Sequence, residues 1–302
     1  MDNKNKLSFV VIGAQKCATT WIYDCLKEHP GINIRNSKNE DIYFGSKWMQ
    51  QNGSEDYFKL FNQNKSEPKG CVSVEYIEDR SVVSLLCTHN ADLRIIVSLR
   101  RPEQRAISAY QWYVRKATIP NINLNEGLKK ALDHYYQKEN TEYSTAYTNI
   151  IERGFYAERL KYWFETFPAH QIYIQFFDEV QQNPRQAIAD IFKFLALDDT
   201  FVPTNVSTKP KKNTGFSPLI LLQRKFPNST IVGKLVDKSN QLFFSKKIVK
   251  MEDSVADEIV NELNKIYEDS LQELYSLLAE YQPLTLQKLK TLWKLQLSYL
   301  MK

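Results

Sequence analysis

The chain contains 302 residues, of which 43% are hydrophobic and 25% are charged, so it can fold around a buried core. This composition, with only 9 glycines and 11 prolines, excludes a disordered, collagen-like or low-complexity protein. The formal net charge of +5 is too small for a dedicated nucleic-acid-binding protein, but it suits an anionic small ligand if the charge is concentrated in one cleft.

The sequence also bears on the cellular compartment. No apolar run approaches the roughly 18 residues that a membrane-spanning helix needs, and the first residues lack the hydrophobic region and cleavage site of a signal peptide. We therefore expect a cytoplasmic protein without a transmembrane segment. The four cysteines form no CxxC pair and have no histidine at metal-ligand spacing, so we expect free thiols and no metal site.

Apolar runs rich in valine and isoleucine alternate with segments of helical periodicity in the first two thirds of the chain. Strands are predicted at residues 7–12, 71–74, 94–99 and 171–176. Helices are predicted at residues 19–28, 101–116, 155–167 and 184–195. Because strands that alternate with helices form parallel sheets, we expect an α/β fold with a central parallel sheet flanked by helices.

The last third of the chain is predicted to be helical. Residues 253–280 form one long or two broken helices, and residues 284–300 carry leucines and Trp293 at helical spacing. Packing on its own core, homodimerisation and lying on a membrane surface are three interpretations of this last segment. Since no linker or repeat interrupts the chain, we expect a single domain over residues 1–302, with a core at 7–215 and a helical part at 216–302.

The loop between the first strand and the first helix is a candidate anion site. It spans residues 13–18 and includes Lys16, and in an α/β fold such a loop meets the N–H groups and the positive dipole end of a helix. A Walker A loop would have glycine, lysine and serine or threonine where this chain has Ala18, Thr19 and Thr20. The pattern argues against kinase or ATPase chemistry, and an ordinary strand–helix turn is the alternative.

A second candidate anion site directly follows the predicted strand 94–99. Arg100, Arg101, Arg105 and Ser108 come in close succession there. Guanidinium groups bind phosphate oxygens with paired donors, and a serine hydroxyl adds a short hydrogen bond. The alternative is a solvated basic turn, but basic residues at a helix start oppose the helix dipole and so favour a bound anion.

These two segments resemble the motifs of the sulfotransferases that use 3′-phosphoadenosine 5′-phosphosulfate (PAPS). Residues 16–21, KCATTW, are similar to that family's phosphosulfate loop, and residues 100–110 are similar to its 3′-phosphate motif, RxPxxRxxSxY. Residues 154–168 resemble the family's GxYxxxLxxWxxxFP stretch. The nearest branch contains the heparan-sulfate-type and soluble bacterial enzymes, and the resemblance implies a P-loop-NTPase-like sheet.

The resemblance implies a role for each matching residue. Lys16 stabilises the charge that develops on the leaving group, while Arg100 and Ser108 hold the 3′-phosphate that distinguishes PAPS from ATP. Arg105 is more often a structural residue in this pattern. PAPS is the co-substrate, 3′-phosphoadenosine 5′-phosphate (PAP) is the product, and no metal is needed. The residues expected to bind the nucleotide are Gln15, Lys16, Cys17, Ala18, Thr19, Thr20, Trp21, Arg100, Ser108, Lys211 and Lys212. The two late lysines, with Lys209, have a solvated loop as their alternative interpretation.

The resemblance also implies a general base. Residues 37–44, SKNEDIYF, are similar to the KExx[YF]F segment that carries the glutamate base in the heparan-type branch, so Glu40 is the candidate. A solvated loop acid is the alternative for Glu40, and the neighbouring Asp41 is the weaker candidate. His89 superficially resembles the catalytic histidine of the branch that acts on phenols and steroids, but its short spacing to Arg100 predicts a surface residue.

Two positions depart from the family's pattern. Ala18 stands where the family usually has glycine, and we expect weaker nucleotide affinity at most. Residues 71–76, CVSVEY, lie where relatives often have ExSPxY, so Cys71 does not supply the acid of that motif.

The resemblance implies a sulfotransferase that acts on a hydroxyl or amine. Because the sequence shows no secretion signal or Golgi anchor, we expect the acceptor to be a small, natural-product-like molecule. Residues 117–151, rich in tyrosine and asparagine, are expected to shape the acceptor pocket. A saccharide O- or N-sulfotransferase is the alternative within the same class. A non-catalytic nucleotide-binding protein and a small-molecule kinase are alternatives from other classes.

Overall fold

In the computed structural model of the chain, the described residues are 5–35, 42–65, 67–138, 140–207 and 254–293. Within these ranges the strands and helices alternate as expected for an α/β protein. The strands are β1 (Leu7–Val11), β2 (Asn33–Ile34), β3 (Lys69–Val72), β4 (Arg94–Leu99) and β5 (Ile172–Phe176).

The helices lie between and after these strands in the sequence. In the described ranges they are α1 (Thr19–Glu28), α2 (Lys47–Asn52), α3 (Ser54–Lys59), α4 (Ser81–His89), α5 (Pro102–Arg115), α6 (Leu124–Gln137), α7 (Ser144–Glu152), α8 (Tyr156–Thr166), α9 (Phe177–Gln182), α10 (Pro184–Phe194), α11 (Asp257–Tyr281) and α12 (Pro283–Leu292). Short 3₁₀ turns lie at Ala169–Gln171 and Thr204–Ser207. None of the helices in the described ranges is long and apolar enough to cross a bilayer.

The five strands form one sheet in the order β2-β3-β1-β4-β5, and every neighbouring pair is parallel. The predicted fold class, a central parallel sheet flanked by helices, is therefore confirmed. Because all strands run in the same direction, their carboxyl ends meet at one edge of the sheet. The loop after β1, the residues after β4 and the start of α9 after β5 consequently share that edge.

The sheet is buried on both faces, as its valine- and isoleucine-rich strands predict. Val10 and Ile95 belong to one apolar cluster, and Phe9 and Ile96 belong to the other. This division follows from the alternation of side chains along a strand. Gly70 of β3 is required by this packing, since a Cβ there would come within 1.9 Å of the Phe9 ring.

The described residues group into two compact units. The first draws on Met1–Arg101, Phe155–Pro210 and Asp269–Lys302 and contains the sheet; the second draws on Pro102–Gly154 and Lys211–Glu268. Compact units of this kind also occur within one domain, so the single domain expected over residues 1–302 stays a prediction.

The second unit is held together by buried polar side chains that bind backbone carbonyls. The Arg105 side chain is fully buried, and its Nη2 donates to the carbonyl oxygen of Ile150. The Tyr267 hydroxyl donates to the carbonyl oxygen of Ile151 at 2.7 Å. The Tyr110 hydroxyl likewise donates to the Ile122 carbonyl oxygen at 2.9 Å. Burial raises the pKa of Tyr267 to about 12, so this hydroxyl keeps its proton and acts as a donor.

The last described helix, α12, packs against the core of the first unit. Leu289 is fully buried, and Trp293 is buried with its ring 5.7 Å from the Phe176 ring in an edge-to-face arrangement. Packing on its own core is thus the correct interpretation of the described part of this segment. Residues 294–300, with which the predicted leucine stripe ends, lie outside the described residues.

Candidate active site

Hydrogen bonds to β4 fix the start of the loop after β1. The Ala14 N–H donates to the Ser98 carbonyl oxygen at 2.8 Å, and the Ser98 N–H donates to the Gly13 carbonyl oxygen at 2.7 Å. Gly13 has φ +137°, and a Cβ at this position would lie 2.9 Å from Cγ2 of Ile77. Only glycine meets both requirements without strain, so the chain can leave β1 and turn into the loop here.

Two residues without glycine's freedom adopt the left-handed conformation further along the loop. The φ angles of Lys16 and Ala18 are 69° and 70°. Ala18 is the N-cap of α1 and makes no side-chain hydrogen bond to the helix. The N–H groups of the first turn therefore have no side-chain cap, which is the arrangement that binds an anion at a helix N-terminus.

The left-handed backbone at Ala18 explains why the family usually has glycine at this position. The sequence alone did not reveal this reason. We expect Ala18→Gly to raise the free energy of unfolding by about 1 kcal/mol, since glycine removes the steric cost of this conformation. Denaturant unfolding measures the change. Ala189→Gly, in the middle of α10, is the matched control and should lower the same free energy by about 0.5–1 kcal/mol. A loss of stability at both positions would contradict the assigned backbone strain.

A chain of buried contacts links this loop to Arg100. The Ser98 hydroxyl donates to the carbonyl oxygen of Cys17. The Cys17 Sγ lies 3.7 Å from the Tyr156 hydroxyl, which donates to the carbonyl oxygen of Arg100 at 2.8 Å. Both Cys17 and Tyr156 are almost completely buried. The Cys17 side chain therefore belongs to the buried packing that supports the loop. Any ligand contact of Cys17 is made by its backbone.

The other predicted loop residues differ in exposure. Gln15 is buried, and its Oε1 has no hydrogen-bond partner among the described residues. A buried acceptor in that state costs free energy, so Gln15 is a candidate for a ligand contact. Thr19 is buried at the start of α1, and Thr20 is exposed. Trp21 packs into the core with its Nε1 donating to the Val206 carbonyl oxygen at 3.3 Å, so its side chain has a structural role.

Arg100 is oriented by an aromatic ring at the same edge of the sheet. Its guanidinium carbon lies 4.4 Å from the centroid of the Phe177 ring. Leu99 pairs with Phe176 in the β4–β5 register, which brings the two following residues together. Stacking engages the face of a guanidinium, whereas phosphate binding uses its edge, so one arginine can make both contacts.

The two neighbouring arginines of the motif have structural contacts. Arg101 Nη2 donates to the Leu292 carbonyl oxygen at 2.9 Å, at the end of α12. Arg105 is buried against the Ile150 carbonyl oxygen, as described above, which agrees with its expected structural role. Arg100 is the arginine of this group that the sequence motif assigns to the phosphate, and this assignment stays a prediction. Ser108 is half-buried on α5 in the second unit, and its contact with the nucleotide stays a prediction.

Several predicted site residues lie outside the described residues. They are Glu40, Asp41, Lys209, Lys211 and Lys212. The described residues that flank the Glu40 segment are anchored: the Arg35 N–H donates to the Gly70 carbonyl oxygen at 3.1 Å, and the Phe44 N–H donates to the Tyr76 hydroxyl at 2.9 Å.

Sequence reasoning missed a buried polar cluster beside these anchors. Arg35, Tyr57, Cys71 and Tyr76 are all almost completely buried. Burial lowers the pKa of Arg35, but the neighbouring Cys71 and Tyr57 more than offset this and raise it. Burial raises the pKa of Tyr57 and of Tyr76 well above the usual value, so both hydroxyls stay protonated. Cys71 therefore belongs to a polar core rather than to an exposed site.

The expectation that His89 is a surface residue is wrong. Its Nε2 accepts a hydrogen bond from the Leu7 N–H at 3.0 Å, and its ring lies 4.2 Å from the Phe44 ring. Burial and the charge of Lys6 lower the pKa of His89, which keeps the ring neutral and able to accept this bond. Since Leu7 begins β1, His89 lies at the amino edge of the sheet, opposite the Lys16 loop. This position supports the conclusion that His89 is not the catalytic base.

The comparisons with known proteins agree with this geometry. A sequence profile of the sulfotransferase domain matches residues 7–277, so the chain belongs to the sulfotransferase family. The chain is 24% identical over 279 residues to the membrane-associated sulfotransferase kil1 of Dictyostelium discoideum, over 66% of this chain and 59% of that protein. It is also 24% identical over 194 residues to the heparan sulfate glucosamine 3-O-sulfotransferase 5 of Mus musculus, over 62% of this chain and 53% of that protein.

A solved structure gives the same family. The crystal structure of a sulfotransferase from Alicyclobacillus acidocaldarius is 25% identical to the chain with a TM-score of 0.53, and the match covers 77% of this chain and 96% of that one. The match covers a little over half the length of each of these two curated relatives. The resemblance found in the sequence motifs is confirmed at the level of the family.

Proposed function

We propose that the protein transfers the sulfuryl group of PAPS to a hydroxyl or an amine of an acceptor and releases PAP. The observation that carries this proposal is the position of two candidate anion sites at one edge of the sheet. One is the uncapped start of α1 beside Lys16, and the other is Arg100 on the Phe177 ring. Two separate sites match a donor with phosphates at its 3′ and 5′ positions, whereas ATP carries all its phosphates at one position.

The residues of the loop supply the chemistry of the proposed reaction. The donor provides a sulfuryl group on its 5′-phosphate, and the acceptor oxygen or nitrogen attacks in line with the leaving oxygen. Lys16 stabilises the negative charge on that leaving oxygen, and the N–H groups of the first turn of α1 hold the 5′-phosphate together with Thr19 and Thr20. Glu40 removes the acceptor's proton in this proposal, which for Glu40 rests on the sequence alone.

The proposal predicts a strong preference for the 3′-phosphate. PAP should bind more than tenfold better than AMP or ADP, since each charge-assisted hydrogen bond contributes about 1.5–3 kcal/mol. Titration calorimetry with the three nucleotides measures the preference. Arg100→Ala should remove most of it, while Arg94→Ala, at the opposite end of β4, is the matched control and should not. Equal affinities of the unmodified protein for the three nucleotides would contradict the proposal and favour a kinase.

Two classes of acceptor are proposed. A small, natural-product-like molecule is the acceptor predicted from the sequence, and a saccharide is favoured by the heparan sulfate sulfotransferase among the relatives. Mass spectrometry of reactions with PAPS and a panel of phenols, alcohols, amines and saccharides separates them by the mass of one added sulfuryl group. Bound PAP without any sulfated product across the panel would favour a non-catalytic nucleotide-binding protein instead.

A cytoplasmic location, predicted from the sequence, completes the proposal, and homodimerisation stays an alternative for the end of the chain. One relative is described as membrane-associated, so the two locations need to be separated by experiment. Cell fractionation tests the location, and light scattering of the purified chain tests the dimer.

A further inference from the structure

The helix α12 lies beyond residue 277, where the match to the sulfotransferase domain ends. It is nevertheless firmly attached to the first unit. At its start, Gln282 Nε2 donates to the carbonyl oxygens of Ala169 and Ile172 at 2.8 and 2.6 Å. In its middle, the Lys288 ammonium group pairs with the Glu179 carboxylate of α9. The helix is therefore aligned along β5 and α9.

The end of α12 reaches the start of α9 and Arg101, the second residue after β4. The Trp293 indole Nε1–H donates to Oδ2 of Asp178 at 3.1 Å. The carbonyl oxygen of Leu292 accepts from Arg101 Nη2 at 2.9 Å. Trp293 is only 7% exposed, so its indole is committed to this position.

These contacts involve the residues next in the chain to Arg100, the predicted phosphate ligand, and to Phe177, whose ring stacks on it. Arg101 directly follows Arg100, and Asp178 directly follows Phe177. Leu292 and Trp293 thus bind the residues that directly follow the two members of the Arg100–Phe177 stack.

We propose that Trp293 is a positioning residue for nucleotide recognition, which holds the Arg100–Phe177 stack through Asp178 and so raises the preference for a 3′-phosphate. A free arginine side chain has many rotamers, and holding it in one orientation before binding reduces the entropy lost in the complex. This inference rests on the proposed function, because it assigns Arg100 to the 3′-phosphate of PAPS.

The test is Trp293→Phe, which keeps an aromatic ring against Phe176 and removes the indole N–H that binds Asp178. PAP affinity should fall three- to tenfold, with AMP affinity unchanged, by titration calorimetry. Thr291→Val is the matched control, because it deletes one neutral donor from the same helix, the exposed hydroxyl that binds the Gln287 carbonyl oxygen. It should leave both affinities unchanged.

A double-variant cycle separates positioning from general loosening of the fold. In a Phe177→Leu background the stack is absent, so adding Trp293→Phe should cause little further loss of PAP affinity. A full additional three- to tenfold loss in that background would overturn the proposed route through Phe177. Circular dichroism checks that each variant is folded, and Asp178→Ala replaces Trp293→Phe if the latter does not fold.

The outcomes distinguish this inference from the proposed function. If the unmodified protein binds PAP no better than AMP, the proposed function itself fails. If the unmodified protein prefers PAP and folded Trp293→Phe and Asp178→Ala keep that preference in full, the role of Trp293 is overturned while the proposed function stands.

Discussion

Lys16→Ala should lower kcat by a factor of about 10²–10³, because the mutation removes a charge that stabilises the transition state more than the ground state. PAP binding should remain measurable, since the start of α1 and Arg100 are unchanged by the substitution. The left-handed backbone at Lys16 also fits alanine no worse than lysine, so the loop should keep its course.

The measurement is a single-turnover assay with saturating PAPS beside calorimetry with PAP. Lys27→Ala, an exposed lysine at the end of the same helix α1, is the matched control and should keep normal turnover. Near-normal turnover of Lys16→Ala would mean that the loop after β1 does not carry the reaction. A complete loss of PAP binding would instead mean that Lys16 acts mainly in the ground state.

Glu40→Gln should lower turnover by about 10²–10⁴ and leave PAP affinity unchanged, because glutamine keeps the shape of the side chain but cannot accept the acceptor's proton. Glu40 lies outside the described residues, so this expectation rests on its sequence context. The anchored residues on either side, Arg35 and Phe44, support a fixed course of the chain at both ends of the segment.

The decisive measurement is turnover as a function of pH. A general base must be unprotonated, so turnover should fall as the pH drops through its pKa, and this limb should disappear in Glu40→Gln. Asp41→Asn is the neighbouring control and should have a much smaller effect. His89→Gln, which keeps an acceptor for the Leu7 N–H, should retain turnover. A large loss of turnover in His89→Gln, with little in Glu40→Gln, would contradict the assignment.

Periodicity predicted the elements that carry the sheet. β4 and α1 have their predicted bounds, and β1 and β5 each differ from prediction by one residue. The third strand was predicted at residues 71–74 but lies at Lys69–Val72, because pairing with β1 decides where a short strand starts. β2 was missed, since two residues are too few to show a period.

The region at residues 117–151 shows why helices can escape prediction. Its many tyrosines and asparagines gave no clear pattern, yet it contains α6 and α7. Helix α6 starts where the Asn123 side chain accepts from the N–H groups of Asn125 and Glu126. Packing in the second unit stabilises these helices, although many of their residues have weak helix propensities. One example is the stacking of His134 on Tyr147, with ring centroids 4.8 Å apart.

Part of the candidate site could likewise be predicted from the sequence, and part could not. Lys16 and Arg100 could be found from the sequence, because a loop after one buried strand and an arginine after another meet at one edge of a parallel sheet. The support of these residues could not be found. Cys17 and Tyr156 are 139 residues apart in the chain, and nothing in their local sequence shows that their side chains meet.

The sequence by itself determined the family, the parallel sheet and the positions of Lys16 and Arg100, because these depend on local periodicity and on short motifs with a fixed order. Only the tertiary structure decided that Ala18 takes a left-handed conformation, that His89 supports the amino edge of the sheet, and that Trp293 binds beside the Arg100–Phe177 stack. The physical reason is that each of these features depends on the burial, direction and distance of groups far apart in the chain, which become neighbours only when the sheet and its helices have packed.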